Sequence, residues 1–350
     1  MIKIGIIGVG NISVLHMDSY IANPDTEICA VCDINEKRLD LIAEKYGIEK
    51  KYTDYNEMLK LPELDAVSIC TWNNAHAPCA IKALEMGKHV LCEKPMAMNA
   101  KEAAEMAEAA KRSGKLLMIG FVRRFGNDCA ILRDFIKSGS FGDIYHIKAS
   151  YLRRMGNPGG WFGEKSKSGG GPLIDLGVHI IDLSRYLMGN PKPVSVYAAA
   201  FTKLFDRKNI KQSINYVSAG KSDKDICDVE DFVSAMIRFD NDAVLSVETS
   251  FSLNIKNDKG DIELFGTKSG ARLDPELEIF TDINDYLADV KLNMPTALSF
   301  EGLFESEVNH FVECIKSGVK CISPAEDGVE IMRILDAAYE SARTGHEVRL

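Results

Sequence analysis

The chain has 350 residues, 46% of them apolar and 27% charged, with a formal net charge of -9. These values exclude a disordered chain, exceed what one small core can organise and suit two domains. They also exclude nucleic acid as the main partner, since such binders carry a basic face; an anionic ligand here has to be held by local backbone dipoles.

Lys3 to Ile7 is a short apolar run of the kind a strand buried on both faces requires. It feeds Gly8-Val9-Gly10-Asn11-Ile12-Ser13, a G-x-G-x-x-S stretch. Gly8 allows a tight turn and Gly10 lets the backbone approach a pyrophosphate. A helix opening near Asn11 and Ile12 aims its unpaired N–H groups at the phosphate charge. Ser13 replaces the usual third glycine and is small enough for close helix–strand packing. A second apolar run, Ile28 to Cys32, ends in Asp33, twenty residues past Ser13, where a carboxylate accepts hydrogen bonds from an adenosine ribose. That charge repels a 2′-phosphate, so NAD is favoured over NADP, although Lys37 and Arg38 follow closely enough to meet a phosphate.

Helices are expected over Glu36–Tyr46, Tyr55–Leu61, Pro78–Met86 and Asn99–Ser113, alternating with strands Ala66–Cys70, His89–Cys92 and Leu116–Gly120. Residues 1–122 therefore read as an α/β, doubly wound parallel (Rossmann) dinucleotide-binding domain. Residues 123–350 read as an α+β substrate-binding and oligomerisation domain. It has helices over Asp128–Lys137 and Asp175–Met188, and strands over Ile144–Leu152, Val194–Ala200, Val229–Phe239, Ala243–Phe251 and Gly260–Phe265. Strands in succession imply a mostly antiparallel, open sheet. Leu204–Lys224 reads as a surface excursion. Helices Glu305–Lys316 and Ala325–Arg343, the latter able to pack back on the first domain, and a strand Glu347–Leu350 complete the chain.

No apolar run approaches the ~20 residues needed to cross a bilayer, and Met1-Ile2-Lys3 leads straight into a strand, so a cytoplasmic protein without membrane partners is expected. The nine cysteines are odd in number and scattered, which fits small buried hydrophobes. His16, His89, His146, His310 and His346 are not grouped in sequence, and no metal is assigned.

In a doubly wound sheet, ligands lie beyond the carboxyl ends of the strands. Two loops stand there: Thr71-Trp72-Asn73-Asn74-Ala75-His76 and Glu93-Lys94-Pro95. Pro95 pulls Lys94 out of helical conformation, which suits a presented side chain; residue types alone leave an ordinary surface lysine equally open. Farther on, Asp175 and His179 are four apart and share a helix face. An aspartate that fixes a histidine's tautomer fits it to accept an alcohol proton. The alternative is an acid serving the helix dipole beside a packed histidine.

Gly8-Val9-Gly10, Thr71 to His76, Glu93-Lys94-Pro95, Gly120-Phe121-Val122-Arg123-Arg124-Phe125 and Asp175-Leu176-Gly177-Val178-His179 together resemble the glucose–fructose oxidoreductase and inositol dehydrogenase family, over nearly the whole chain. The resemblance implies that Lys94 contacts the substrate oxygen and that His179 is the general acid/base, oriented by Asp175. It also implies that Thr71, Trp72, Asn73, His76, Glu93 and Lys94 lie along the cofactor. Trp72 stands where the family often has proline. Arg123, Tyr151, Arg153, Arg154 and Trp161 are candidates for the substrate pocket, with ordinary surface or core roles equally open. The implied activity is hydride transfer between a secondary alcohol of a sugar or cyclitol and NAD, in a homodimer or homotetramer. Two rivals are glycosidase- or epimerase-type chemistry through transient oxidation, and a non-catalytic dinucleotide sensor.

Overall fold

Five short apolar runs and one polar edge strand become one parallel sheet because each is joined to the next by a segment long enough to cross over. The computed structural model describes residues 1–204, 210, 217–218, 221–222, 225–296 and 300–350. The amino-terminal part runs β1 (Ile2–Ile7), α1 (Asn11–Ala22), β2 (Thr26–Cys32), α2 (Glu36–Tyr46), β3 (Lys50–Tyr52), α3 (Tyr55–Leu59), β4 (Ala66–Ile69), α4 (Asn73–Glu85), β5 (His89–Glu93), α5 (Ala100–Ser113) and β6 (Leu117–Gly120). The strand order is β3-β2-β1-β4-β5-β6, with every pair parallel. Chain direction across the sheet reverses at β1, which places a ligand crevice at the carboxyl ends of β1 and β4. Asn35 and Asn99 cap α2 and α5 by accepting the Arg38 and Glu102 N–H groups.

Two expectations change here. The helix placed at Pro78–Met86 starts at Asn73, so Asn73, Asn74 and His76 belong to its first turns rather than to a loop. Pro78 lies inside α4, where its ring forfeits one backbone bond without ending the helix. The short edge strand β3, Lys-Lys-Tyr, had no apolar signature to read.

The next part holds a 3₁₀ turn (Val122–Phe125), α6 (Asn127–Lys137), β7 (Ile144–Leu152), a second 3₁₀ turn (Gly160–Gly163), α7 (Lys165–Ser168), a π-helical turn (Leu173–Gly177), α8 (Val178–Leu187), β8 (Pro193–Phe201), β9 (Phe232–Phe239), β10 (Val244–Ser250), β11 (Lys259–Gly266), β12 (Gly270–Leu273), β13 (Glu278–Ile283) and β14 (Tyr286–Val290). After Ser299 come α9 (Phe300–Ser317), α10 (Ala325–Thr344) and β15 (Val348–Arg349). The larger sheet is ordered β14-β13-β12-β11-β7-β10-β9-β8-β15, antiparallel except for the β10/β7 pair. Register puts Val196, Ile237, Leu245, Ile147, Leu264, Ala271 and Ile279 in one row across seven strands, all buried. One residue along, the opposite face carries Tyr197, Met236, Ser246, Lys148, Glu263 and Arg272. This is the period-2 alternation of a sheet covered on one side. Much of the Leu204–Lys224 stretch lies outside the described residues.

The chain divides into two compact units, Met1–Val122 with Phe300–Met332 and Arg123–Ser299 with Arg333–Leu350. The segment 300–332, counted with the second domain by sequence, thus groups with the first. In that unit α9 packs on α1, Lys316 pairs with Asp25 at 2.5 Å, and the Ser323 hydroxyl donates to the Ile119 carbonyl at 2.6 Å. Among the described residues no helix is long and apolar enough to cross a membrane.

Candidate active site

The first unit gathers its candidates at one edge of the parallel sheet. After β1, Gly8 turns with φ +85°, and a Cβ there would stand 2.7 Å from the Cys70 carbonyl oxygen; only glycine fits. Gly10 behaves differently, because a Cβ on it would meet no protein atom within 4 Å. The space beside Gly10 is therefore open rather than filled by the protein itself. Gly10 caps α1 without a side-chain hydrogen bond, so the first N–H groups of α1, from Asn11 onward, await an outside acceptor. An open glycine and an uncapped helix N-terminus fit a dinucleotide's diphosphate. Ser13 is fully buried, and its hydroxyl donates to the Gly10 carbonyl at 2.8 Å.

Asp33 at the end of β2 accepts the Val9 N–H through Oδ2 and the Asn35 N–H through Oδ1, both at 2.8 Å. The carboxylate is thereby fixed against the glycine turn. Arg38, which by sequence stood ready for a phosphate, donates from Nε to the Val9 carbonyl at 2.8 Å and from Nη2 to the Gly10 carbonyl at 3.4 Å. Its guanidinium braces the turn, in keeping with a cofactor that has no 2′-phosphate.

Beyond β4, the Thr71 methyl approaches Gly8, the half-exposed Trp72 caps α4, and Asn73 is buried. His76 is 1% exposed, with Nδ1 2.8 Å from the Pro95 carbonyl and Nε2 3.2 Å from the Thr71 carbonyl. Burial holds this imidazole below its ordinary value, against the pull of both carbonyls. A neutral ring donates to only one of them, and the shorter contact assigns the proton to Nδ1. His76 thus ties the loop after β4 to the loop after β5.

Glu93 ends β5, 6% exposed, and Lys94 follows through a cis peptide bond to Pro95. Glu93 Oε1 lies 2.8 Å from His16 Nε2 on α1, and Oε2 accepts the Lys94 N–H at 3.1 Å. Burial pushes the Glu93 carboxyl up, but the His16 contact and the Lys94 charge outweigh it and hold the group below the usual carboxylate range. Glu307 of α9 completes a group with ligand atoms within 4.8 Å of one another. Burial first, and the Glu93 charge second, drive Glu307 well above that range. Sequence reasoning missed this acid, yet a signal existed: it stands on the apolar stripe of α9 between Phe304 and Phe311.

In the second unit, Asp175 lies in the π-helical turn and His179 in the first turn of α8, both half-buried among buried neighbours. The expected single α-helix from Asp175 is thus a π turn running into an α-helix. Glu230, also missed by sequence reasoning, organises this segment. Its Oε2 accepts the Gly171 N–H at 2.9 Å, its Oε1 accepts the Leu173 N–H at 3.2 Å, and the Tyr339 hydroxyl donates to Oε1 at 3.0 Å. The glycine run now has a packing reason, since a Cβ on Gly170 would stand 2.0 Å from the Tyr339 hydroxyl oxygen.

Arg123 is 7% exposed and donates to Tyr151, to Asp274 at 3.2 Å and to Asp128 at 3.4 Å. It is the centre of a buried ion cluster. The Tyr151 phenol beside it is pushed up to about 12 by burial, with the Arg123 charge opposing. Trp161 stacks on Phe162 with ring centroids 4.0 Å apart. Arg153 and Arg154 donate to the Gly156 and Lys256 carbonyls at 3.2 and 3.1 Å.

Comparison with known proteins agrees with this construction. Residues 2–121 match the model of an oxidoreductase family, NAD-binding Rossmann fold, and residues 133–350 match that family's C-terminal alpha/beta domain. D-glucoside 3-dehydrogenase of Escherichia coli (strain K12) is 36% identical over 100% of this chain and 97% of its own. Myo-inositol 2-dehydrogenase of Thermotoga maritima is 27% identical over 99% of this chain and 98% of its own. A solved levoglucosan dehydrogenase, in complex with NADH and levoglucosan, superposes with a TM-score of 0.87 at 27% identity, covering 99% of each chain.

Proposed function

We propose, from the fact that this chain belongs to the oxidoreductase family with an NAD-binding Rossmann fold, that it is an NAD-dependent dehydrogenase acting on a secondary hydroxyl of a sugar, glycoside or cyclitol. One observation carries the reading: the open glycine turn, the fixed Asp33 carboxylate and the Glu93-Lys94 segment share the carboxyl edge of one parallel sheet. The polyol substrates named for the glucoside, inositol and levoglucosan dehydrogenases above support the substrate class.

When bound, NAD supplies the hydride acceptor. Gly8, Gly10 and the N-terminus of α1 hold its diphosphate, and Asp33 accepts its adenosine ribose. In this reading His179 takes the proton of the hydroxyl being oxidised, and Asp175 orients its ring. Lys94 donates a hydrogen bond to the same oxygen as its negative charge develops. Trp161 flanks the sugar ring. Self-association through the exposed face of the large sheet, where Tyr197, Met236, Phe265 and Phe280 are solvent-accessible, belongs to the same reading and is tested by sedimentation.

The experiment is a panel of glucosides, hexoses and inositols scored for NADH absorbance with the wild type, His179→Ala and Lys94→Ala. Loss of general-base catalysis is expected to lower turnover of His179→Ala about 10²–10⁴-fold. Loss of the oxygen-stabilising donor is expected to lower that of Lys94→Ala about 10²–10³-fold. NAD binding should be retained by both. An unimpaired His179→Ala enzyme overturns the mechanism. Substrate consumption without net NADH points instead to transient oxidation.

A further inference from the structure

His310 and Cys314 stand one helical turn apart on α9 and so share a face. The helix ends at Ser317, and Gly318 follows with φ +66°, its N–H donating to the Cys314 carbonyl at 3.1 Å. That left-handed turn sends the chain back along α9 and brings Cys321 to the same face. The ligand atoms of His310, Cys314 and Cys321 all lie within 4.8 Å of one another. Cys314 is buried, whereas His310 and Cys321 are half-buried and leave the cluster open to an incoming ion.

Two sulfurs and an imidazole nitrogen are a donor set that suits zinc rather than harder cations. With Zn–S at about 2.3 Å and Zn–N at about 2.0–2.1 Å, tetrahedral geometry sets nitrogen and sulfur about 3.5–3.6 Å apart. His310 Nε2 lies 3.4 Å from Cys314 Sγ. The trio of His16, Glu93 and Glu307 differs, because its nitrogen stands 2.8 Å from a carboxylate oxygen, the length of a hydrogen bond. The His310 tautomer also fits. Ile322 donates its N–H to Nε2 at 3.0 Å, so the ring proton is on Nδ1 and the Nε2 lone pair faces the Cys314 sulfur. The Glu313 charge reaches both His310 and Cys314 and favours a cation there.

We infer that His310, Cys314 and Cys321 form a zinc site that clasps the segment 318–324 to α9. Binding is a substitution without oxidation: two thiol protons leave to solvent while two Zn–S bonds and one Zn–N bond form. Water takes the fourth position from the exposed side. Ile322 gives up its bond to Nε2, one hydrogen bond lost against three metal bonds gained. The clasped segment closes the β6 edge of the parallel sheet. There the Ser323 hydroxyl donates to the Ile119 carbonyl at 2.6 Å, the Ile119 N–H donates to the Ser323 carbonyl at 3.0 Å, and Met118 bridges to Pro324. The metal is structural and independent of the dehydrogenase reading. α9 passes Glu93 at the carboxyl end of β5 and later sets Lys316 on Asp25, just before β2. Cys314 therefore lies toward the amino edge of the sheet, away from the glycine turn.

The test strips the full chain with a chelator under reducing conditions and titrates it with zinc alone, then with cobalt as a spectroscopic stand-in. Wild type should bind one zinc per chain, unfold at a higher temperature when loaded and exchange its amide hydrogens more slowly over 318–324. Cobalt should give a thiolate charge-transfer band and the intense visible bands of a tetrahedral site. Cys321→Ser, at a half-buried position that the fold tolerates, should weaken zinc by at least about 100-fold and abolish the charge-transfer band, and Cys314→Ser should do the same. Neither substitution nor zinc should alter turnover with NAD. No zinc bound, wild-type affinity in Cys321→Ser, or a cobalt spectrum without thiolate bands would each overturn the proposal. So would a Cys314–Cys321 disulfide that forms in air as fast with zinc present as without it.

Discussion

Glu230 and Glu307 are both buried carboxyl groups, both raised by burial, and they do opposite things. Glu230 receives two backbone N–H groups and a phenol, each within 3.2 Å, and with them fixes the segment that carries Asp175 and His179. Among the described residues, Glu307 receives no hydrogen bond. A buried acid surrounded by donors stabilises its own surroundings, whereas one without donors is retained at a cost in stability. The second kind is where a functional reason is to be sought.

That contrast can be broken by substitution. The largest effect is expected at a third buried acid, Asp182, which takes Arg124 Nε at 3.0 Å and Nη2 at 2.5 Å with both side chains out of solvent. Asp182→Ala strands a buried guanidinium and should cost about 3–5 kcal/mol in urea unfolding. Glu230→Gln loses one acceptor oxygen and the charge on both N–H bonds, for an expected loss of about 1–3 kcal/mol by the same measurement. Glu307→Gln should behave in the opposite way. Glu307 is protonated when folded and ionises when unfolded above pH ~4.3, so the folded state binds the extra proton and wild type loses stability as pH rises. Between pH 5 and 6 the variant should gain on wild type by about 1 kcal/mol, read from thermal unfolding at each pH. If the difference between the two proteins does not vary with pH, Glu307 is not the neutral acid and the contrast with Glu230 collapses.

Much of the fold was legible because its signals are local. Buried strands such as Ala66–Ile69 are short apolar runs, and Asn35 and Asn99 stand at true helix starts. The hairpin of β13 and β14 was missed although Asn284 and Asp285 both adopt positive φ, 52° and 66°, the turn that a two-residue hairpin requires. Alternation there is weak because most of the side chains are exposed. The site divides in the same way. Gly8, Gly10, Asp33 and Lys94 lie next to the strand ends that present them and can be read from spacing. His16, Glu230, Glu307 and Tyr339 act through partners 57 or more positions away, and no periodicity reports such a pairing. Arg123 shows the same limit from the other side: its place in a family motif offered it to substrate, and no spacing reports the Asp128, Asp274 and Tyr151 that the structure sets around it.

The return of Phe300–Met332 to the first unit bears on how this protein can be taken apart. An amino-terminal fragment ending at Val122 would retain all six parallel strands, yet it would expose the flank of α1 that α9 covers and uncap Ile119, which loses both its Ser323 partners. His16 and Glu93 would open to water on the side where Glu307 had been. Such a piece should express poorly or aggregate, whereas one that rejoins residues 300–332 through a short linker regains the α9 cover and the Ser323 bonds.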